Sequence, residues 1–166
     1  MRVLSRNIKS GYLKFEVENL DDLWFLAQVI QSGDAVKGKT ERSIKGKDDM
    51  VRSGGGERLT VTLAVSVEEV EFKSEGDTLR IKGKITEGPE DVIALGGHHT
   101  FVVEAGTVLS LEKKQWNETE INLIREAEKQ AHRPKVAIAV IDEGEATVAL
   151  IRESKVQYYE VSHTVG

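Results

Sequence analysis

The chain contains no cysteine in 166 residues. That excludes a disulfide framework, a thiolate nucleophile and a Cys-ligated zinc site. No apolar run approaches the roughly 20 residues that a helix needs to cross a bilayer. The opening Met1-Arg-Val-Leu-Ser-Arg6 lacks the apolar h-region of a signal peptide, so the expectation is a soluble cytoplasmic protein. Net positive charge is also missing. Lys plus Arg number 23 against 28 Asp plus Glu, a formal charge of −5, which excludes a wholly basic nucleic-acid binder. Aromatics are scarce at 5%. Gly54-Gly55-Gly56 leads into a strand pattern, and no Gly-Lys-Ser/Thr follows it. A P-loop is excluded on that ground. No Ser–His–Asp arrangement is legible.

Val and Ile together supply 30 residues, a bias toward sheet. Leu13, Phe15 and Val17 alternate with charged residues, which predicts a strand after an opening hairpin. Leu23, Leu26, Ala27 and Ile30 fall on one helical face, with Asn19 or Asp21 available as cap and Gly33 just past the end. The spacing predicts a helix over about 20–31. Strand period returns over 35–43 and, after a polar stretch at 45–57, over 58–72, 78–85, 100–103 and 108–113. Six or seven short strands with one helix indicate a small β-barrel or sandwich. Asn117 with Glu120 forms a capping-box variant. The helix it opens has only a narrow apolar stripe, Ile121, Ile124 and Ala127, so 117–134 reads as a connector. Val136–Ile141 is a continuous apolar run, the pattern of a strand buried on both faces. Two more strands follow, and 135–166 reads as the opening of a second domain.

Charge is arranged in blocks. Residues 1–14 carry four bases and no acid, 15–34 five acids and no base, 35–58 seven bases and four acids, and 64–91 eight acids and four bases. Brought together by folding, Arg2, Arg6, Arg42, Lys45, Lys47, Arg52 and Arg58 would make a phosphate-facing patch on an acidic protein; the alternative is an ordinary solvated surface. His98 and His99 are adjacent, so in a strand they point to opposite faces and do not share a metal ion. Asp21 and Asp22 are the candidate carboxylate pair for a divalent cation. Adjacent acids at a helix start equally serve the helix dipole.

Several stations in order carry a family resemblance: Asp21-Asp22-Leu23-Trp24, Ile30-Gln31-Ser32-Gly33-Asp34, Leu79-Arg80-Ile81-Lys82-Gly83, Gly97-His98-His99-Thr100 and Glu112-Lys113-Lys114-Gln115-Trp116. Together they resemble Pelota, the archaeal and eukaryotic paralogue of the class I release factor. The resemblance implies a mainly β fold with helices. Residues 1–116 would form an Sm-like or SH3-like β-barrel. Residues 135–166 would supply the first strands of an RNase-H-like α/β central domain. It implies recognition of stalled ribosomes in mRNA surveillance (no-go decay) and ribosome rescue, by binding at the A site and decoding centre. The implied partners are rRNA and mRNA, a translational GTPase of the elongation-factor family and a recycling ATPase, with the protein itself a monomer. Lys45, Lys47, Arg52 and Arg58 would then face RNA. A divalent-metal-dependent endoribonuclease activity is attributed to the family and disputed; here it would fall to Asp21 and Asp22. The Gly-Gly-Gln of peptidyl hydrolysis is absent from the sequence. A barrel that simply docks a protein partner is the remaining alternative.

Overall fold

The structure is a computed structural model and describes residues 1–43, 58–89, 93–130, 136–152 and 154–162, with the backbone alone at 42, 43 and 58. Alternating apolar and polar residues produce strands β1 (Arg2–Asn7), β2 (Tyr12–Glu16), β3 (Ala35–Ser43), β4 (Arg58–Lys73), β5 (Thr78–Glu87), β6 (His98–Val103) and β7 (Val108–Glu112). They form one seven-stranded sheet in the order β1-β2-β7-β3-β4-β5-β6, antiparallel throughout. One face is dry: Leu13, Phe15, Leu63, Val65, Leu79, Ile81, Leu109 and Leu111 are all essentially inaccessible.

The sheet curls to bury that face. β3 and β6 are separated by two strands, which in a flat sheet would hold them about 14 Å apart. Yet a β-carbon built on Gly38 of β3 would lie 3.5 Å from the Phe101 ring of β6. The long β4 makes this possible. It pairs with β3 over 58–66 and with β5 over 64–73, and bulges at Ala64/Val65 and again at Val67/Glu69. Bulges increase local twist and bend the strand. Gly83 of β5 permits the closest approach, because a β-carbon there would fall 2.2 Å from the Ser66 carbonyl oxygen. The barrel-like fold and the mainly β class expected from the sequence are what the chain adopts.

Helix α1 (Leu20–Val29) starts where Asn19 accepts hydrogen bonds from the backbone N–H of Asp21 and Asp22, and the Asp22 carboxylate closes the reciprocal capping box. It ends two residues before the predicted Gln31. Ile30 turns extended to enter the core, and the Asp34 carboxylate accepts from the Gln31 N–H at 2.9 Å. Helix α2 (Glu118–Gln130) opens with the predicted Asn117–Glu120 box, both bonds present at 2.8 and 3.0 Å.

Reading α2 as a mere connector needs correction. Ile124 and Ala127 are buried in the same core as the sheet, against α1. Ile121 and Leu123 pack against the same core, partly buried.

Strands β8 (Val136–Asp142), β9 (Glu145–Ile151) and β10 (Val156–Ser162) form a separate sheet in the order β10-β9-β8. β8 has the apolar run of a strand covered on both faces, and within this chain it stands exposed: Val140 is 65% and Ile141 78% exposed. All seven residues of β8 are exposed. The turn between β9 and β10 touches the curled sheet's unit. Ser154 donates from its N–H and its hydroxyl to Asp21 Oδ1, and Lys155 Nζ donates to Asp77 Oδ1 and to the Ser74 carbonyl.

Candidate nucleic-acid interface

Contact with a polyanion needs cations that are not already neutralised by neighbouring carboxylates. Of the seven basic residues predicted from sequence, Lys45, Lys47 and Arg52 lie outside the described residues. Arg42 and Arg58 stand at the paired ends of β3 and β4, where Arg42 faces Leu59 and Ser43 faces Arg58 across the ladder. The segment 44–57 therefore links two adjacent strand ends, and the topology brings Arg42 and Arg58 to its base. Nothing further of those two side chains is described.

Arg2 and Arg6 are not brought to that hairpin by the sheet. Both sit on edge strand β1, three places from β3 in sheet order. Arg2 hydrogen-bonds Glu16, and that bond holds its guanidinium above its ordinary pKa. Arg6 pairs with Glu128 of α2 at 3.0 Å.

Asp21 and Asp22 part company in space. Asp22 is fully buried; its Oδ2 accepts from the N–H of Glu18 at 2.7 Å and of Asn19 at 3.1 Å, and its Oδ1 accepts from the Met1 α-ammonium at 2.7 Å. Asp21 points instead to Ser154, with contacts at 2.6 and 3.0 Å. A hard divalent cation requires several oxygens converging on one point. Here one carboxylate is saturated by N–H donors in the core and the other serves a turn of the second sheet. Among the described residues, no group of three or more His, Asp or Glu side chains is placed to hold a metal. This donor set does not fit a divalent ion, and no chemical step is derived through one. His98 and His99 diverge as the strand period requires. His98 Nε2 lies 3.3 Å from the Glu68 carboxylate at the surface, while His99 stacks edge-on against Phe101 at 4.9 Å.

A second ionic centre was not anticipated. Lys113 Nζ, buried at the end of β7, donates to Asp34 Oδ2 at 2.6 Å and to the Val29 carbonyl at 2.8 Å, and lies 3.1 Å from Glu120 Oε1. Trp116 stands beside it, its ring centroid 5.7 Å from the ammonium, and its indole N–H donates to the Gly11 carbonyl at 2.8 Å. Gly11 adopts a left-handed φ of 82°, and a β-carbon there would strike the Lys113 carbonyl. This cluster ties the end of α1, the start of β3, the end of β7 and the start of α2 into one joint. Its role is structural, since every charge in it has a partner.

Sequence reasoning also missed three lysines. Lys14, Lys37 and Lys39 line one surface groove of about 690 Å³ on the outer side of β2, β7 and β3. Lys37 also pairs with Glu87 at 2.7 Å, which raises its pKa above the ordinary lysine value. The Lys37/Lys39 alternation was visible, but the pairing of β3 with β7 that adds Lys14 was not.

Residues 1–128 match the Pelota N-terminal domain model. A protein pelota homolog from Methanothrix thermoacetophila is 41% identical over 159 residues, covering 95% of this chain and 44% of its own length. An archaeal Pelota, described in a structure of ribosome-bound archaeal Pelota and ABCE1, is 36% identical, with 100% of this chain and 47% of that one covered and a TM-score of 0.68. The crystal structure of Thermoplasma acidophilum Pelota shares the fold at 23% identity, covering 98% of this chain and 44% of that one, with a TM-score of 0.70. The chain thus spans about half the length of the curated relatives it matches. With three quarters of its residues under one family model and 95% of its length aligned at 41% identity with a curated pelota homolog, the chain belongs to the Pelota family.

Proposed function

We propose that this chain is the ribosome-contacting part of a rescue and mRNA-surveillance factor, acting in the cytoplasm by occupying stalled ribosomes. One observation carries the reading: the chain aligns over its whole length with an archaeal Pelota described as ribosome-bound together with ABCE1. The sequence that links β3 to β4 carries Lys45, Lys47 and Arg52, and Arg42 and Arg58 stand on the strand ends it joins. Those cations contact rRNA or mRNA phosphates, and the acidic remainder of the chain discourages misplaced docking. The work is done by binding and recruitment, with a translational GTPase and a recycling ATPase as partners. Bond cleavage by Asp21 and Asp22 is not favoured, because both carboxylates are engaged elsewhere.

The test is ribosome co-sedimentation across a salt series. Replacing Lys45, Lys47, Arg52 and Arg58 together by Ala lowers affinity and flattens the dependence of log K on log salt, by about 0.7–0.9 per lost phosphate contact. An affinity and slope equal to those of the parent chain would remove the hairpin from the interface.

A further inference from the structure

We propose that the lysine-lined groove on the outer side of β2, β7 and β3 is a second contact surface for single-stranded RNA, holding the phosphodiester backbone through Lys14, Lys37 and Lys39. The inference rests on the RNA-binding reading above and extends it to residues that reading does not use.

Register builds the site. Lys14 of β2 and Lys37 of β3 both face Ser110 of β7, one from each side. Neighbouring strands lie about 4.8 Å apart, so the two lysine backbones stand about 10 Å apart across the row. Lys39 follows Lys37 on the same face, about 7 Å further along the strand. The groove between them contains no acidic residue in its lining, although acids outnumber bases in the chain. The other described grooves differ: one mixes Glu69 and Glu71 with Arg80 and Lys82. Among the described residues, Lys14 and Lys39 have no ion-pair partner. Lys37 has Glu87, reaching over from β5. Glu16, on the strand beside the groove, is taken by Arg2.

The spacing selects the ligand. The three lysine backbones, about 7 and 10 Å apart, form a row along and across the strands, and successive phosphodiesters of one strand can engage all of it. The hydroxyls of Ser110 and Thr62 add neutral donors of the kind that phosphate backbones use. No aromatic side chain lines the groove, so it offers no stacking platform and its contact is independent of base identity. Continuity points the same way. The strand that bears Lys37 and Lys39 leads in sequence into the segment containing Lys45, Lys47 and Arg52.

The test uses the 166-residue chain and a fluorescent oligouridylate, titrated by anisotropy across a salt series. Changing Lys14, Lys37 and Lys39 together to Gln flattens the salt slope by about 2, with a clear loss of affinity at low salt, while the triple Lys→Arg variant keeps the parent slope. A melting curve checks folding; if the triple variant unfolds, Lys14→Gln and Lys39→Gln singly each flatten the slope by about 0.7. Three results overturn the proposal: a groove variant that binds RNA as the parent does while a Lys45, Lys47 and Arg52 to Gln variant weakens; a parent chain that does not bind the oligouridylate; or unchanged RNA binding with weakened binding of polyglutamate, which makes the groove a protein-docking face. The converse, in which the groove variant weakens and the hairpin variant does not, upholds the groove and removes the hairpin.

Discussion

The two sheets of this chain are built from similar residues and reach opposite ends. The seven-stranded sheet curls over its own apolar face, and α1 and α2 close what remains. The β8–β10 sheet is richer in Val, Ile and Tyr, with 10 in 21 strand residues against 12 in 57, yet Ile141, Val140 and Tyr158 stand mostly in solvent. Strand propensity therefore does not distinguish them. A sheet needs a second layer, and the first sheet makes one from itself through the bulges in β4 and the bare backbone at Gly83. The second has three strands, too few to curl, and its first strand is exposed throughout.

That contrast can be sharpened or broken by mutation. Both tryptophans, Trp24 and Trp116, lie in the curled-sheet unit, so their fluorescence follows its unfolding in urea. The largest expected effect is Lys113→Ala, which strands Asp34 and Glu120 in the interior and should cost about 3–5 kcal/mol. A loss below about 1 kcal/mol would mean that water reaches the cluster and that it is not the joint described here. Leu111→Ala, at a fully buried position, is expected to cost about 2–5 kcal/mol. The acid pair comes next. Asp22→Asn should cost about 1–3 kcal/mol, because a buried acceptor of several N–H groups loses its charge. Asp21→Asn should leave the tryptophan transition within about 0.5 kcal/mol and act only on the docking of the β9–β10 turn. Equal losses at the two positions would contradict their separate roles. The smallest effect belongs to Ile141→Ala, expected within about 0.5 kcal/mol on the same transition. If it matched Leu111→Ala, the two sheets would unfold as one unit and the comparison would fail.

Much of the fold is legible along the chain. Period-two alternation marks Leu13–Val17 and Leu59–Val67, because a strand sends successive side chains to opposite faces. Asn19 and Asn117 announce their helices through local capping chemistry that needs no tertiary partner. The site is less legible. Asp21 and Asp22 are neighbours in sequence and look like a pair, but on a helix consecutive residues diverge by about 100°, and the structure sends one into the core and the other to Ser154. Lys14 and Lys37 are 23 positions apart in the sequence and meet only because β7 inserts between their strands. Several motifs that carry the family resemblance prove to be internal supports: Asp22 in the capping box, Asp34 and Lys113 in the ionic joint, Trp116 bonded to Gly11, Gly83 against Ser66. They hold the architecture together, while the cations proposed to meet RNA lie outside them.

By itself, the sequence determined which segments are strands and helices, where the helices begin, and that charge is segregated into blocks, since these depend on steric and hydrogen-bonding preferences within a few residues of each position. Only the tertiary structure decided the strand order, the place of α2 in the core, the parting of Asp21 from Asp22 and the gathering of Lys14, Lys37 and Lys39 in one groove. These depend on which distant segments share a ladder or a buried volume, and that is fixed by how the whole chain removes its apolar surface from water.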